Sequence, residues 1–479
     1  MDIQKIKNKA FSGFVWQLAN RIGTNGMQFL TYIILARLLQ PEDFGVIAIV
    51  VVFINFSNIL VNSGFGTALV QAKNVDDIDY SSVLYMSIII AFIFYSIIFF
   101  TAPFIAGYYN QDSMVVVLRI YSISIIFFAI NGVQTSILLR NLEFKKISIV
   151  SIIPVVISGI VSILMALAGF GVYALVANAL VSGILSVIIF GFILKWFPKP
   201  LLSIMRIKKL FSYSSKLLLS NIIEEAYKGI YPLIIGKVFN TKALGYYNFG
   251  RQIPNLISST INASVTAISF PLYSRNQDDI SKLKKMVRHS ISLINFILFP
   301  LMAALAAVAE PLVTLVFSEK WLPTVPYLQL FCIISGLYHV QVYNFHAISA
   351  LGKSSVFLKY EIIKKILAIT ILFITLPFGI KILVIGQVIF AVISIVINFK
   401  PNIRWLNYSI KEQLNDIWPY FVASIIMFIC IRLVSIIEMP IIIKLIFEII
   451  LGISIYTLIA FIAKFNGFTI LMNIIKKRF

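Results

Sequence analysis

The chain has 479 residues, of which 60% are apolar and only 12% charged, whereas about a quarter of an ordinary soluble domain is charged. With a mean hydropathy of +0.96, a soluble globule is excluded and lipid is the solvent for most of the sequence. The net charge of +21 points to an anionic membrane surface and not to nucleic acid, because Lys and Arg fall in short clusters between apolar runs and line no single face.

A helix needs about 20 residues to cross the hydrocarbon core, and only helices or closed barrels satisfy their backbone groups there. The apolar runs do not alternate as barrel strands would. In chain order they predict roughly fourteen helical spans, near 11–39, 44–64, 82–107, 115–138, 147–168, 171–194, 210–239, 246–272, 290–317, 325–350, 357–377, 380–399, 416–436 and 440–464. Lys5, Lys7 and Lys9 precede the first run as they would in a signal peptide. That run continues to Leu39 with no small-residue cleavage site, so it reads as a span. Cys332 and Cys430 sit inside apolar runs, with neither disulfide nor metal-ligand spacing.

Basic residues in short loops mark the cytoplasmic side. One side receives the N-terminus, Arg140 with Lys145 and Lys146, the 195–209 cluster, Arg275 to Arg288, Lys353 with Lys359, Lys400 to Lys411, and Lys476, Lys477 and Arg478. The other receives little beyond Arg37, Lys237, Lys242, Lys320 and Lys381. Both termini are therefore expected in the cytoplasm.

The sequence matches itself at an offset of 200 residues. Phe11-Ser12 aligns with Phe211-Ser212, Arg37 with Lys237, Gln40 with Asn240, Phe44-Gly45 with Leu244-Gly245, and Asn55, Asn58 and Asn62 with Asn255, Ser258 and Asn262. Copies that start on the same side are parallel repeats, a transporter plan that places the substrate site between the halves. The expected organisation is a six-helix bundle in 1–200, its repeat in 201–405, and two further helices with a basic tail in 406–479.

Polar side chains recur at helical spacing in the paired spans. The first span carries Gln17, Asn20, Arg21, Thr24, Asn25, Gln28 and Thr31, and the seventh carries Ser220, Asn221, Glu224, Glu225, Lys228 and Tyr231 in the same phase. Asn55, Asn58 and Asn62 add a stripe to the second span, answered by Asn255, Ser258 and Asn262, with Arg251 one turn before. A charged side chain at the bilayer centre costs about 2.5–3.5 kcal/mol, so Arg21, Glu224, Glu225 and Lys228 are expected to face a wet cavity or one another. Asn and Ser can instead act as interhelical glue at about 0.6 kcal/mol per contact, and Glu224 can pair with Lys228 one turn on. Read as a cavity lining, Arg21, Lys228 and Arg251 offer donors to phosphate, and the amides with Tyr231 suit sugar hydroxyls. Glu224 and Glu225 are the coupling-ion candidates, for a proton or a sodium ion.

His339 and His346 share a face of the tenth span and read first as packing, second as a proton relay. The segment from Ala347 to Ser354 resembles a phosphate-binding loop, but it lacks the first glycine and follows a span instead of a strand. No catalytic constellation, metal cluster or cofactor motif is found.

The chain resembles Wzx-type polysaccharide flippases of the polysaccharide transporter family within the MATE-like MOP superfamily. The segments that carry the resemblance are Leu35 to Gly45, Gly64 to Gln71, Gly169 to Leu175, Leu244 to Asn248, Phe270-Pro271-Leu272 and Lys320-Trp321. It implies an all-α membrane fold of two six-helix bundles forming a V plus two C-terminal helices, in a bacterial cytoplasmic membrane. It also implies export of an undecaprenyl-diphosphate-linked oligosaccharide to the outer leaflet for O-antigen, capsule or exopolysaccharide, coupled to an ion gradient, beside a polysaccharide polymerase and chain-length machinery. A lipid-precursor flippase and a drug/cation antiporter share the plan. A membrane polymerase is a further alternative, disfavoured by outer loops of only about five to twelve residues.

Overall fold

The computed structural model describes residues 3–62, 64–72 and 74–470, so the basic tail at Lys476, Lys477 and Arg478 lies outside the described residues. Every element among the described residues is helical. They fall into two compact units, Met1–Asn248 and Phe249–Phe479. The sequence repeat and this partition divide the chain at different places, because the first helix of the second copy packs on the first copy.

The first unit contains α1 (Ile3–Leu38), α2 (Pro41–Asn62), α3 (Phe65–Gln71), α4 (Asp77–Tyr109), α5 (Ser113–Tyr121), α6 (Ser124–Arg140), α7 (Phe144–Leu167), α8 (Val172–Leu194), α9 (Ile204–Val238) and the start of α10 (Thr241–Arg275). Helix α1 packs on α7, α7 on α8, α6 on α4 and α8, and α2 on α9. Small residues allow the close approaches typical of helices in lipid: Gly159 of α7 lies against Thr31, and Gly183 of α8 against Phe127. Phe65, Leu69, Val83, Leu84, Val133 and Ile137 form an apolar core at one end of this unit.

Local chemistry sets the helix ends. Asp76 caps α4 by accepting from the amides of Ile78 and Asp79, and Asp79 returns the bond to the Asp76 amide. Arg206 pairs with both carboxylates. The 195–203 connection is pinned to the same helix end, since the Lys199 and Ser203 amides donate to the hydroxyls of Ser81 and Ser82. Arg140, at the end of α6, donates to the carbonyls of Leu69 and Ala72 at the end of α3, where helix carbonyls lack intrahelical partners.

The second unit holds the rest of α10, then α11 (Ile280–Ala307), α12 (Ala309–Phe317), α13 (Val325–Ala350), α14 (Ser354–Thr375), α15 (Ile380–Leu406), α16 (Ile410–Asn415), α17 (Trp418–Val434) and α18 (Ile441–Ile462). Trp321, in the short turn between α12 and α13, is fully buried and stacks on Phe249 at 3.9 Å. Helix α13 packs on α11 and α15, and α17 packs on α11. Between these helices the interior is polar: Asn398 donates to Gln341 (3.2 Å), Asn344 to Gln413 (3.5 Å), and Gln413 to the Tyr408 carbonyl (2.8 Å). Such bonds are the expected fate of amides that cannot reach water.

Helix α11 starts ten residues before the apolar run that predicts it, because its basic first turns have partners. Arg288 grips Asp416 through two bonds of 2.6 and 2.9 Å, Tyr408 donates to the same carboxylate at 2.6 Å, and Lys284 binds Glu412. Glu412 in turn closes the capping box of α16 with Ser409. The segment leading into the C-terminal helix pair is thereby fixed to α11.

Ten helical stretches among the described residues are long and apolar enough to cross a membrane. The long helices outside that set are α1, α9, α10 and α14. The first three bear the polar stripes, and α14 bears Lys359, Glu361, Lys364 and Lys365. The chain is a multi-pass helical membrane protein.

Two stability outcomes follow. Arg288→Ala leaves the Asp416 carboxylate, whose side chain is only 6% exposed, without its cation. Allowing for the partly exposed Arg288, it is expected to cost on the order of 2–4 kcal/mol, read as earlier thermal unfolding in detergent, with Asp416→Asn partly restoring the loss. The Arg206 guanidinium holds the Asp76 carboxyl down at about 2. A depressed carboxyl stabilises above its unfolded value, near 4, and that contribution disappears as pH falls through about 2. The stability gap between wild type and Asp76→Asn is therefore expected at neutral pH and absent in strong acid.

Candidate functional site

The tightest feature of the first unit is where two helix entries cross. Pro41 and Thr241 begin α2 and α10, each immediately after the end of the preceding span. Gln40 and Asn240 precede them: the Gln40 amide donates to Asp43 at 2.9 Å, and Asn240 accepts from the Ala243 amide at 2.7 Å. Both are side-chain bonds to helix-start amides that have no intrahelical partner.

The two helices meet through backbone. A methyl group at Gly45 would lie 1.8 Å from the Thr241 carbonyl oxygen, and one at Gly245 would lie 1.9 Å from that of Pro41. The contact is reciprocal and joins positions related by the 200-residue repeat, as local two-fold symmetry requires. The seam continues along α2 against α9, where Ile49 fills the space over Gly236 and Val52 that over Gly229. From Gly45 to Val52 is about 10 Å of helix.

Polar groups lock this end. Gln111, in the turn after α4, donates to Glu42 at 3.2 Å and to Thr241 at 3.1 Å, and the Thr241 hydroxyl donates to Glu42 at 3.3 Å. Lys237 bonds the Tyr108 carbonyl and lies over the Tyr108 ring at 4.1 Å, while the Tyr109 hydroxyl donates to the Leu233 carbonyl.

The stripe residues in the first unit divide by environment. Arg21, Gln28, Asn55, Asn221 and Lys228 are exposed, and Asn20, Asn25, Asn62, Glu224 and Glu225 half-buried. Glu224 lies 3.6 Å from Lys228, the pairing available one helical turn apart. Thr24 bonds back to the Asn20 carbonyl. Asn62 reaches α6, its side-chain oxygen 2.5 Å from where a Gly132 methyl would be, and Asn58 is buried. Tyr231 is buried, edge-on to Tyr227. In the second unit, Asn255 is exposed, Arg251 and Asn262 are half-buried, and Asn262 accepts from Thr266 at 3.4 Å. The stripes thus contain both open side chains, which can meet a ligand, and contacts between helices.

Cys332 and His339 are buried in α13, and His346 is half-buried beside Tyr343. Ala347 to Ser354 is the end of α13, a turn at Gly352 and the start of α14. No group of three metal-ligating side chains occurs among the described residues. Sequence reasoning missed the Glu42–Gln111–Thr241 cluster, whose members lie 69 to 199 positions apart. The repeat register did align Gly45 with Gly245, without a reason for either.

The polysaccharide biosynthesis protein family matches residues 34–326. The teichuronic acid biosynthesis protein TuaB of Bacillus subtilis is 25% identical, over 86% of this chain and 85% of that protein. The succinoglycan biosynthesis transport protein ExoT of Rhizobium meliloti is also 25% identical, over 67% of this chain and 65% of its own length. Among solved structures, the lipid II flippase MurJ in an inward closed conformation shares the fold with a TM-score of 0.74, at 16% identity, covering 94% of this chain and 98% of that one.

Gly45→Val is expected to separate the helix starts, at a cost of about 1–3 kcal/mol for the overpacking, and to break the Gln111 bridge. In a background without native cysteines, a Thr241→Cys probe should react several-fold faster with a water-soluble maleimide when Gly45→Val is added. Unchanged reactivity would show that the contact does not hold this end closed.

Proposed function

The chain belongs to the polysaccharide biosynthesis protein family, and from that premise we propose that it is a flippase for lipid-linked oligosaccharide, carrying an undecaprenyl-diphosphate-linked repeat unit from the cytoplasmic to the outer leaflet of a bacterial cytoplasmic membrane. One observation carries the reading. Helices α1 and α9 each hold open cationic and amide side chains at helical spacing, while the α2–α9 seam ends where backbone meets backbone at the starts of α2 and α10.

In this mechanism the substrate enters from the cytoplasmic side, its lipid tail staying in the bilayer. Arg21, Lys228 and Arg251 meet the diphosphate, Arg by a bidentate fork and Lys as a point charge. Asn20, Asn25, Gln28, Asn55, Asn58, Asn62, Asn221, Asn255 and Asn262, with Tyr231, serve the sugar hydroxyls. Separation of the reciprocal glycine contact then opens the outer side, as one repeat copy rocks against the other. A ligand drives such a change only by binding the two states unequally. Ion binding at Glu224 or Glu225 supplies that inequality, since ionising Glu224 strengthens its hold on Lys228 and withdraws Lys228 from phosphate. The protein is a carrier and not an enzyme, and its product passes to a polymerase with its chain-length partner on the outer face.

The test is the leaflet distribution of undecaprenyl-linked oligosaccharide in cells lacking the chain, complemented with wild type, Arg21→Ala, or Glu224→Gln with Glu225→Gln. Accumulation on the cytoplasmic leaflet is expected, cleared by wild type and slowed about tenfold or more by Arg21→Ala, equivalent to about 1.4 kcal/mol of lost substrate interaction. Single repeat units building up on the outer leaflet instead would overturn the proposal, since transport would then proceed without this chain.

A further inference from the structure

Helix α18 carries one acidic residue, Glu448, two turns from its start. Its neighbours along the chain, Ile446, Phe447, Ile449 and Ile450, face outward, yet Glu448 is 0% exposed. Neither carboxylate oxygen accepts a hydrogen bond. Glu361, Glu412 and Asp416 of the same unit, by contrast, each have a cation against them. An ionised carboxylate without a donor is among the costliest groups to place in an apolar interior, and an ionisable residue within a membrane span calls for a functional account.

The helices packed on α18 are α11, α12 and α17. Helix α11 has no charged residue between Ile291 and Ala307; α12 contributes Glu310 and α17 contributes Arg432. On α18 itself Lys444 stands one turn before Glu448, on the same face. Its ammonium, however, donates to the Ser435 carbonyl at the end of α17, where a cation also meets the negative end of the helix dipole. The nearest cation on Glu448's own helix is therefore engaged elsewhere, and Lys444, Arg432 and Glu310 act on the carboxyl only through their charge, without a hydrogen bond to it.

We propose that Glu448 is a proton-binding site, occupied in the arrangement described, and that Lys444 is its exchange partner. The ligand is a proton and not a metal cation, because Glu448, even with Glu310 on the neighbouring helix, belongs to no group of three metal-ligating side chains among the described residues, and so few oxygens cannot replace a cation's hydration shell. When the proton leaves to water, the carboxylate gains a negative charge and draws the Lys444 ammonium from the Ser435 carbonyl onto itself; when a proton returns, Lys444 goes back to Ser435. Each cycle moves one proton and exchanges one hydrogen bond, altering how the turn between α17 and α18 is held. The site uses none of the α1 and α9 stripe residues and does not depend on the identity of the substrate.

Infrared difference spectroscopy of the purified full-length protein in lipid nanodiscs tests this, using pH alone as the probe. Wild type should show a protonated carboxylic acid band at neutral pH that falls as the pH is raised, and Glu448→Gln should lack that band while keeping the same helical content. Lys444→Met, which removes the counter-charge of the ionised form, should move the loss of the band to higher pH by about one to three units. A band identical in wild type and Glu448→Gln would overturn the site. An unmoved midpoint in Lys444→Met would overturn the exchange.

Discussion

Backbone meeting backbone at the starts of α2 and α10 is the constraint on which the first unit depends. Lipid supplies no hydrophobic drive between apolar helices, so association relies on close packing and hydrogen bonds. Glycine at 45 and at 245 removes the side chains that would keep the axes apart, and each carbonyl then rests in the space its counterpart leaves. Two further glycines extend the approach along α9, and the turn after α4 closes over it with Gln111. An arrangement built from such reciprocal contact has few intermediate positions, because the carbonyls either seat in the glycine gaps or leave them. That suits a protein required to be closed or open and not graded.

The second unit solves the same problem of lipid by another means. Gln341, Asn344, Asn398, Asn402 and Gln413 satisfy many of their donors among themselves and on backbone carbonyls, so α13, α15 and α16 share a polar interior. At one end of it the Arg288–Asp416 pair, with Tyr408, turns several charges into one connected group. Breaking such a group from one side leaves an uncompensated charge, which is why ion pairs of this kind hold elements in register even when their net contribution to stability is modest.

How much of this was legible in the sequence depends on the range of the interaction. The spans, the 200-residue repeat and the polar stripes all rest on local periodicity, and the helices α1, α9 and α10 follow it. Helix ends were less legible: the apolar run suggests a start near residue 290 for α11, whereas pairing of Lys284 and Arg288 with Glu412 and Asp416, more than 120 positions away, carries the helix back to Ile280. The six-residue α16 has no apolar period to reveal it. Among the stripe residues, open Arg21 and enclosed Asn58 look alike in sequence, because exposure depends on which helix lies opposite. Glu448 was invisible for the complementary reason: a single acid in an apolar run acquires meaning only once its lack of partners is seen.

The first unit ends at Asn248 and not at the repeat boundary near residue 200. Helix α9 begins the second copy, yet it supplies the surface against which α2 packs, and the Thr241 turn supplies the carbonyl that seats in Gly45. Domains usually fold as units, N-terminal first during synthesis. For this chain, a ribosome that has delivered only the first copy leaves Gly45 and the Ile49 and Val52 side chains of α2 uncovered, and that surface is completed only as the second copy enters the membrane. Biogenesis is therefore interlocked: the opening helix of the later copy acts as the closing piece of the earlier one, and neither copy is a self-sufficient module that could be exchanged or duplicated alone without exposing a backbone surface to lipid.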